Sequence, residues 1–328
     1  MRVLLTGAAG FIGSSVAEAL LRRGDAVVGV DNFNDFYDPA IKARNAAEVA
    51  ATAAAHGAEF TLLRADLVTD PVLDRVFEDD ATRPDVICHL AAWAGVRPSI
   101  QRPMIYETTN VQGTLRILEL CRKYDVRPFV FASSSSVYGA RTEVPFRETD
   151  RVDDPISPYA ATKKAGELIG YTYHHLHGTR FIGLRFFTVY GPRQRPEMAI
   201  HLFARRILDG EPIRMHGDGS SSRDYTYIDD IVEGVVASID RAATTDGYRI
   251  YNLGNSATTT LAGLIQQIEA ACGKAAVIQQ VEDQPGDVPR TFADIARAKE
   301  ELAYDPRTPV EEGIPKFVAW LRALRGGA

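Results

Sequence analysis

Two short stretches of this sequence carry the residue types of a proton-transfer site: Ser133-Ser134-Ser135-Ser136-Val137-Tyr138-Gly139, and then Tyr159-Ala160-Ala161-Thr162-Lys163. A tyrosine and a lysine four positions apart on a helix share one face. There the ammonium favours a phenolate, and a hydroxyl at a preceding strand end, Ser134, can complete a hydrogen-bonded group around one substrate oxygen. A free phenol titrates near pH 10, too high for a base at neutral pH, so positive charge close by is what makes Tyr159 useful. The plain alternative is a surface Tyr and Lys on an amphipathic helix, with serines that satisfy backbone groups at a strand end.

The start of the chain decides between these. Thr6-Gly7-Ala8-Ala9-Gly10-Phe11-Ile12-Gly13 follows an apolar strand and opens a helix. Its glycines allow a tight turn, close backbone approach to a pyrophosphate, and close packing of helix on strand. The helix N-terminus then faces the phosphates. The Gly-x-x-Gly-x-x-Gly spacing is a variant of the usual dinucleotide fingerprint. Asp31 ends the second strand, followed by Asn32. A carboxylate there accepts from ribose hydroxyls and repels a 2′-phosphate, so NAD is expected rather than NADP. Asp66-Leu67 and His89-Leu90-Ala91-Ala92 end the third and fourth strands on the same sheet edge. Asp66 is placed to meet adenine, and Ala91 and Ala92 are small enough for a cofactor to lie against the backbone. His89 reads as a packed strand histidine, since no acidic partner is evident. His174, His175 and His177 read as partners of a helix C-terminus, and no metal site is expected. Together these segments point to a nicotinamide-dependent enzyme in which Tyr159 and Lys163 also lie against the cofactor.

The elements that must position these residues alternate. Apolar runs at Val3–Thr6, Ala26–Val30, Phe60–Leu63, Val86–Leu90, Pro128–Ala132 and Phe181–Leu184 are separated by helical patterns at Ile12–Arg23, Ala40–Ala55, Pro71–Asp79, Tyr106–Lys123 and Pro158–His177. That rhythm predicts an α/β fold: a doubly wound parallel sheet of Rossmann type, covered on both faces. It breaks after Arg185. The Gly-, Pro-, Arg- and Ser-rich stretch 191–224 holds one helix, His201–Leu208, and reads as a substrate-binding insertion. Ile228–Asp240 and Ile250–Leu253 resume helix and strand, followed by a helix at Leu261–Ala271, a loop at Asp283–Arg290 and a last helix at Val310–Leu324. The expected division is therefore an NAD-binding domain over 1–184, rejoined by 228–255, and a smaller mixed α/β substrate-binding domain from 185–227 and 256–328.

The bulk properties narrow the class. A chain of 328 residues with net charge −6 is globular and mildly acidic, which argues against nucleic-acid binding while leaving room for a local basic pocket. Three widely spaced cysteines without metal spacing point to a reducing compartment. No apolar run reaches membrane-spanning length. A cytoplasmic protein without membrane or nucleic-acid partners is the expectation.

At these residues the chain resembles the extended short-chain dehydrogenase/reductase family over essentially its whole length, and within it the nucleotide-sugar 4-epimerases, most closely those of UDP-glucuronate. The segments that carry the resemblance are 31–38 (Asp-Asn-Phe-Asn-Asp-Phe-Tyr-Asp), Ala94-Gly95-Val96-Arg97, Arg185–Pro192, Arg195–Ala199 and Arg223–Asp230. Trp93 stands where a glutamine is usual. Relatives that dehydrate or decarboxylate carry acids at one or both positions matching Ser135 and Ser136, whereas both are neutral hydroxyls here. The resemblance implies that Ser135, Ser136 and Thr188 hold a sugar carboxylate and that Arg223 meets the diphosphate, a task suited to a forked guanidinium. It further implies that Arg97, Met198, Ala199, Arg214, Met215 and the Gln284–Arg290 loop with Arg290 surround the UDP-sugar, and that Asn110 and Phe186 lie at the cofactor. Arg193, Arg195, Arg205 and Arg206 read as solvated surface charges. The implied reaction is reversible C4 epimerisation of UDP-glucuronate to UDP-galacturonate through a 4-keto sugar, with NAD regenerated in each turnover. Its rivals are a UDP-glucose or UDP-N-acetylglucosamine 4-epimerase, a UDP-glucuronate decarboxylase or dehydratase, a redox enzyme that exchanges its coenzyme, and a non-catalytic NAD-sensing protein. A homodimer formed through Tyr106–Lys123 and Pro158–His177 is also implied.

Overall fold

Val3-Leu4-Leu5 and the other apolar runs have no polar face to turn outward, so each pairs with strands on both sides and is covered above and below. The computed structural model describes residues 1–282 and 288–326. Its central sheet contains β1 (Arg2–Thr6), β2 (Ala26–Asp31), β3 (Phe60–Arg64), β4 (Val86–His89), β5 (Pro128–Ser134), β6 (Arg180–Phe186) and β7 (Tyr248–Leu253). All neighbours are parallel, in the order β7-β6-β5-β4-β1-β2-β3. The order reverses between β1 and β4, so the loops after these two strands diverge and leave a crevice at their carboxyl ends. β7 joins this sheet beside β6 although the irregular stretch intervenes in sequence.

Close approach of one helix to the sheet positions the chemistry. The Pro158–His177 helix starts at Ser157, whose hydroxyl accepts from Ala160 N at 3.1 Å, with Pro158 in the first turn where its missing N–H costs nothing. Gly166 and Gly170 face β5 and β6: a Cβ on them would lie 2.3 Å from the rings of Phe131 and Phe181, respectively. Without side chains there, the helix settles directly onto those rings, with Tyr159 and Lys163 at its N-terminal end above the sheet edge.

The Tyr106–Lys123 pattern is not one α-helix. The structure has a short helix at Pro103–Tyr106, a π-helical turn at Glu107–Gln112 and an α-helix at Gly113–Lys123. Residue-type periodicity cannot distinguish one extra residue per turn, and such turns occur at functional sites. Helices at Val96–Gln101 and Ala296–Leu302 were not expected. Nor were three two-stranded pairings: Thr188–Tyr190 with Tyr225–Tyr227, Ser222–Arg223 with Thr259–Thr260, and Ile213–His216 with Ile278–Val281. Strands of two to four residues are too short to show an alternation. Of the expected Asp283–Arg290 loop, residues 283–287 lie outside the described residues.

Candidate active site

The crevice at the sheet reversal is a cleft of about 370 Å³. Gly7, Gly10, Phe11, Ile12 and Gly13 line its floor, Asp31 and Asn32 one end, and Asp66, Leu67, Leu90, Ala91 and Ala92 the edge above the neighbouring strands. A side chain at Gly13 would put its Cβ 2.0 Å from Gly7 O, so only glycine lets the turn fold back on its own helix. No side chain among the described residues caps that helix at Gly10, and its first turn holds no acid. Its leading N–H groups are therefore free to face a pyrophosphate. Asp31 takes hydrogen bonds from Ala9 N at 3.2 Å and Phe33 N at 2.9 Å, which fixes its carboxylate at the ribose end. Burial opposes the charge on Asp66, but donors from Val68, Asn32 and Thr69 hold it below the usual carboxylate range. These features fit a dinucleotide. Lys42, unnoticed in the Ala-rich helix, is buried beside Asp31 with its Nζ 3.8 Å from Oδ1 and donating to Asn34 Oδ1 at 2.8 Å.

Tyr159, Lys163, Ser134, Ser135, Ser136 and Phe186 all line the same cleft. Ser134 caps the short 3-10 turn Ser135–Tyr138: its hydroxyl accepts from Ser136 N at 3.1 Å and donates to Ser136 Oγ at 3.0 Å. Lys163 donates to Ala132 O at 2.6 Å, and its Nζ lies 5.9 Å from the centre of the Tyr159 ring. Burial pushes the Lys163 ammonium down to about 7. Burial also pushes Tyr159 up, opposed by a hydrogen bond with Ser134 and by the charge of Arg195. Lys163 and Tyr159 thus share one face of the helix and one cleft, as their spacing predicts. Desolvation disfavours the charge on Lys163, and Arg195 is a further cation whose charge favours the phenolate of Tyr159. Arg195 lines the cleft rather than facing solvent.

A second cavity of about 750 Å³ adjoins the first, and Thr188 lines both. Arg97, Arg206, Arg214 and Arg223 line its walls, a charge set for a diphosphate. Ala199 belongs to this cavity, and its neighbour Met198 to the first. Two expected residues lie elsewhere. Met215 packs against the hydrophobic core, because in the strand Ile213–His216 successive side chains alternate and it is Arg214 and His216 that face the cavity. Arg290 is exposed, 5.5 Å over the Phe292 ring, and lines neither cavity. Of the rest of the expected loop, Val288 and Pro289 do line the second cavity, and residues 284–287 lie outside the described residues. Of the arginines read as solvated, Arg205 is exposed, Arg193 pairs with Glu18 and Glu48, and Arg195 and Arg206 line the cavities. Polar patterning cannot distinguish an arginine facing bulk water from one facing a water-filled cavity.

Asn110 is buried, and its amide is engaged by protein rather than turned into the cleft. It accepts from Trp93 N at 2.8 Å and donates to Trp93 O and Thr162 Oγ1, each at 3.0 Å. The π-helical turn sets it there. Beside it, Thr114 Oγ1 donates to Asn110 O at 2.6 Å and so accepts from His89 Nε2 at 3.0 Å, while Thr6 Oγ1 donates to His89 Nδ1 at 2.7 Å. His89 is thus a neutral histidine joining the glycine turn to Asn110. Burial, aided by the Lys163 charge, pushes it down to about 3 from 6.5. Below pH 6.5 the unfolded chain binds a proton that the folded chain refuses, so the contribution is full above 6.5 and lost as the pH falls towards 3. In urea unfolding, the stability of the parent relative to His89→Gln is expected to shrink across that window; a constant difference would refute the assignment.

The fold and the cleft define a dinucleotide-dependent enzyme of the Rossmann class. A sequence model of the NAD dependent epimerase/dehydratase family matches residues 3–254, and the chain belongs to that family. It is 42% identical over 318 residues to the UDP-glucuronate 4-epimerase of Thermodesulfobacterium geofontis, covering 97% of this chain and 95% of that one. Among solved structures, the UDP-glucuronic acid 4-epimerase of Bacillus cereus in complex with UDP-glucuronic acid and NAD superposes with a TM-score of 0.88 at 34% identity, covering 99% of this chain and all of that one. The UDP-glucose 4-epimerase of Thermotoga maritima with UDP-glucose gives 0.87 at 32% identity, covering 99% of this chain and 100% of that one. Among the described residues, no helix is long and apolar enough to cross a membrane, and no group of metal-ligating side chains occurs.

Proposed function

We propose that this chain inverts C4 of UDP-glucuronate reversibly, giving UDP-galacturonate through a 4-keto sugar. The observation that carries the reading is the junction of the two cavities. Thr188 lines both cavities; Tyr159, Ser134, Ser135, Ser136 and Arg195 line the first, and four arginines line the second. NAD, held by the glycine turn and Asp31, would supply the hydride acceptor and a positive charge in the cleft that Tyr159 lines. Tyr159 then takes the proton of the 4-hydroxyl and returns it after the sugar has turned over, while Ser134 hydrogen-bonds the same oxygen. The second cavity, through Arg223 and its neighbours, anchors the diphosphate while the sugar rotates.

The near-equal likeness to a UDP-glucose enzyme means that the backbone does not select the sugar; the side chains at the junction do. Ser135, Ser136 and Thr188 offer neutral donors to a carboxylate, and Arg195 offers the charge. A 4-keto uronate is a β-keto acid. Donors that hold its carboxylate away from alignment with the carbonyl π system disfavour loss of carbon dioxide. Incubation of the purified protein with UDP-glucuronate, with chromatographic separation of hexuronate epimers from pentose, tests the reading; faster turnover of UDP-glucose would overturn it. In the same assay, Ser135→Ala and Thr188→Ala are each expected to raise the pentose fraction or weaken uronate binding. Two variants that match the parent on both counts would sink the carboxylate assignment.

We infer further that residues 1–184 with 228–255 form the NAD-binding unit, and 185–227 with 256–328 the UDP-sugar unit. A homodimer is supported by exposed apolar side chains at Leu115 on one of the two expected interface helices and Leu168, Tyr171 and Leu176 on the other, with Ile100 and Met104 nearby in sequence. Sedimentation equilibrium tests it. Three buried free thiols, Cys88, Cys121 and Cys272, support a cytoplasmic setting.

A further inference from the structure

Trp93 lines neither cavity, yet it stands behind both groups that act at the junction. The Asn110 amide clamps its main chain on both sides and is bound in turn to Thr162 of the catalytic helix. Rings flank its indole. Phe36 meets it edge to face, with centroids 5.2 Å apart and planes at 89°. Tyr106 lies 6.3 Å away at 55° and is anchored by its hydroxyl, which donates to Ala94 O at 2.7 Å.

Each flanking ring leads to the site. Phe36 carries the Arg195 guanidinium 5.3 Å from its centre. Tyr106 meets Tyr159 at 6.2 Å and 78°. A continuous row, Arg195–Phe36–Trp93–Tyr106–Tyr159, therefore joins the cation of the cleft to its base. Edge-to-face contact orients a ring, and a ring so held offers its face to a guanidinium. The glutamine usual at this position in the resembling enzymes would leave the main-chain clamp in place but remove both ring contacts.

We propose that Trp93 is a positioning residue that sets sugar selectivity. By holding Phe36 it seats Arg195 towards an anionic sugar, and by backing Tyr106 it keeps the Tyr159 phenol aligned. This rests on the uronate reading above, since a neutral sugar gains nothing from the seat of Arg195.

The test uses NAD-loaded Trp93→Gln, Trp93→Phe and Phe36→Leu proteins. Calorimetry gives the affinity for UDP-glucuronate relative to UDP-glucose, and chromatography gives kcat. Trp93→Gln is expected to lose about tenfold of the preference for UDP-glucuronate, the scale of two ring contacts, and to lose kcat as well. Trp93→Phe should recover most of both. Phe36→Leu should lose the preference with a smaller fall in kcat, because only the Arg195 branch is cut. A folded Trp93→Gln with the parent's preference and kcat would overturn the proposal. If that variant does not fold, an unchanged preference in Phe36→Leu overturns it instead. A parent without preference for UDP-glucuronate would defeat the uronate reading and the selectivity claim, while the kcat comparison would still judge the Tyr159 branch separately.

Discussion

Tyr159→Phe is expected to reduce epimerisation by about three orders of magnitude, within the range for removal of a positioned general base, while the protein remains folded and keeps its NAD. The phenyl ring preserves the edge contact with Tyr106 and the packing under the cleft, so the lost oxygen is the only chemical change. Ser134 loses its partner and stays hydrogen-bonded to Ser136. Lys163 is unaffected, because its hydrogen bond runs to Ala132 O rather than to the phenol. Chromatography of UDP-glucuronate reactions gives the rate, and spectroscopy of the nucleotide released on heating gives the cofactor content. Unimpaired turnover would remove Tyr159 from the mechanism; low turnover with lost cofactor would make it a structural residue.

A comparable effect on stability is expected at Glu167, one turn beyond Lys163. Its carboxylate receives Arg185 Nε and Nη2, both at 2.9 Å, and Ser133 Oγ at 2.7 Å, with all three residues buried. Arg185 continues to the Tyr138 hydroxyl at 3.0 Å, which donates to Asn252 Oδ1 at 2.7 Å. This network ties the catalytic helix to β5, β6 and β7 directly beneath Ser134. Glu167→Ala leaves a guanidinium buried without a counter-charge, and a loss of about 3–5 kcal/mol is expected. Urea unfolding at fixed NAD concentration measures it. The double variant Glu167→Leu/Arg185→Met removes the stranded charge and should recover most of the loss; equal destabilisation of the two would show that packing, not charge, is what Glu167 contributes. Because Ser133 precedes Ser134, kcat of the single variant should fall too, even at temperatures where it is fully folded.

The two residues illustrate different degrees of legibility. The place of Tyr159 in the cleft is legible because it depends on a spacing within one helix, preceded by a serine-rich strand end and a glycine turn whose types are constrained locally. That of Glu167 is not, because its partners come from two other strands and nothing in the flanking residues marks it as buried. Met215 shows the same limit from the other side. Its chemistry suits a nucleotide pocket, but a strand of four residues gives no alternation from which to tell which face it takes. Arg195 and Arg206 looked like ordinary surface charges for a related reason: a cavity is formed by several distant segments, so no single segment records it.

What is local was therefore already present in the chain: alternating strand and helix runs, the glycine turn, Asp31 at a strand end, and the Tyr–Lys pair, each dictated by spacing, backbone freedom or residue type. What is non-local arose on folding. Desolvation leaves Lys163 reluctant to carry its charge and raises Tyr159. Arg195 comes to lie near the phenol, and Trp93 is locked between Phe36 and Tyr106. These depend on burial and on distances between segments remote in sequence, quantities that exist only once the sheet has brought them together.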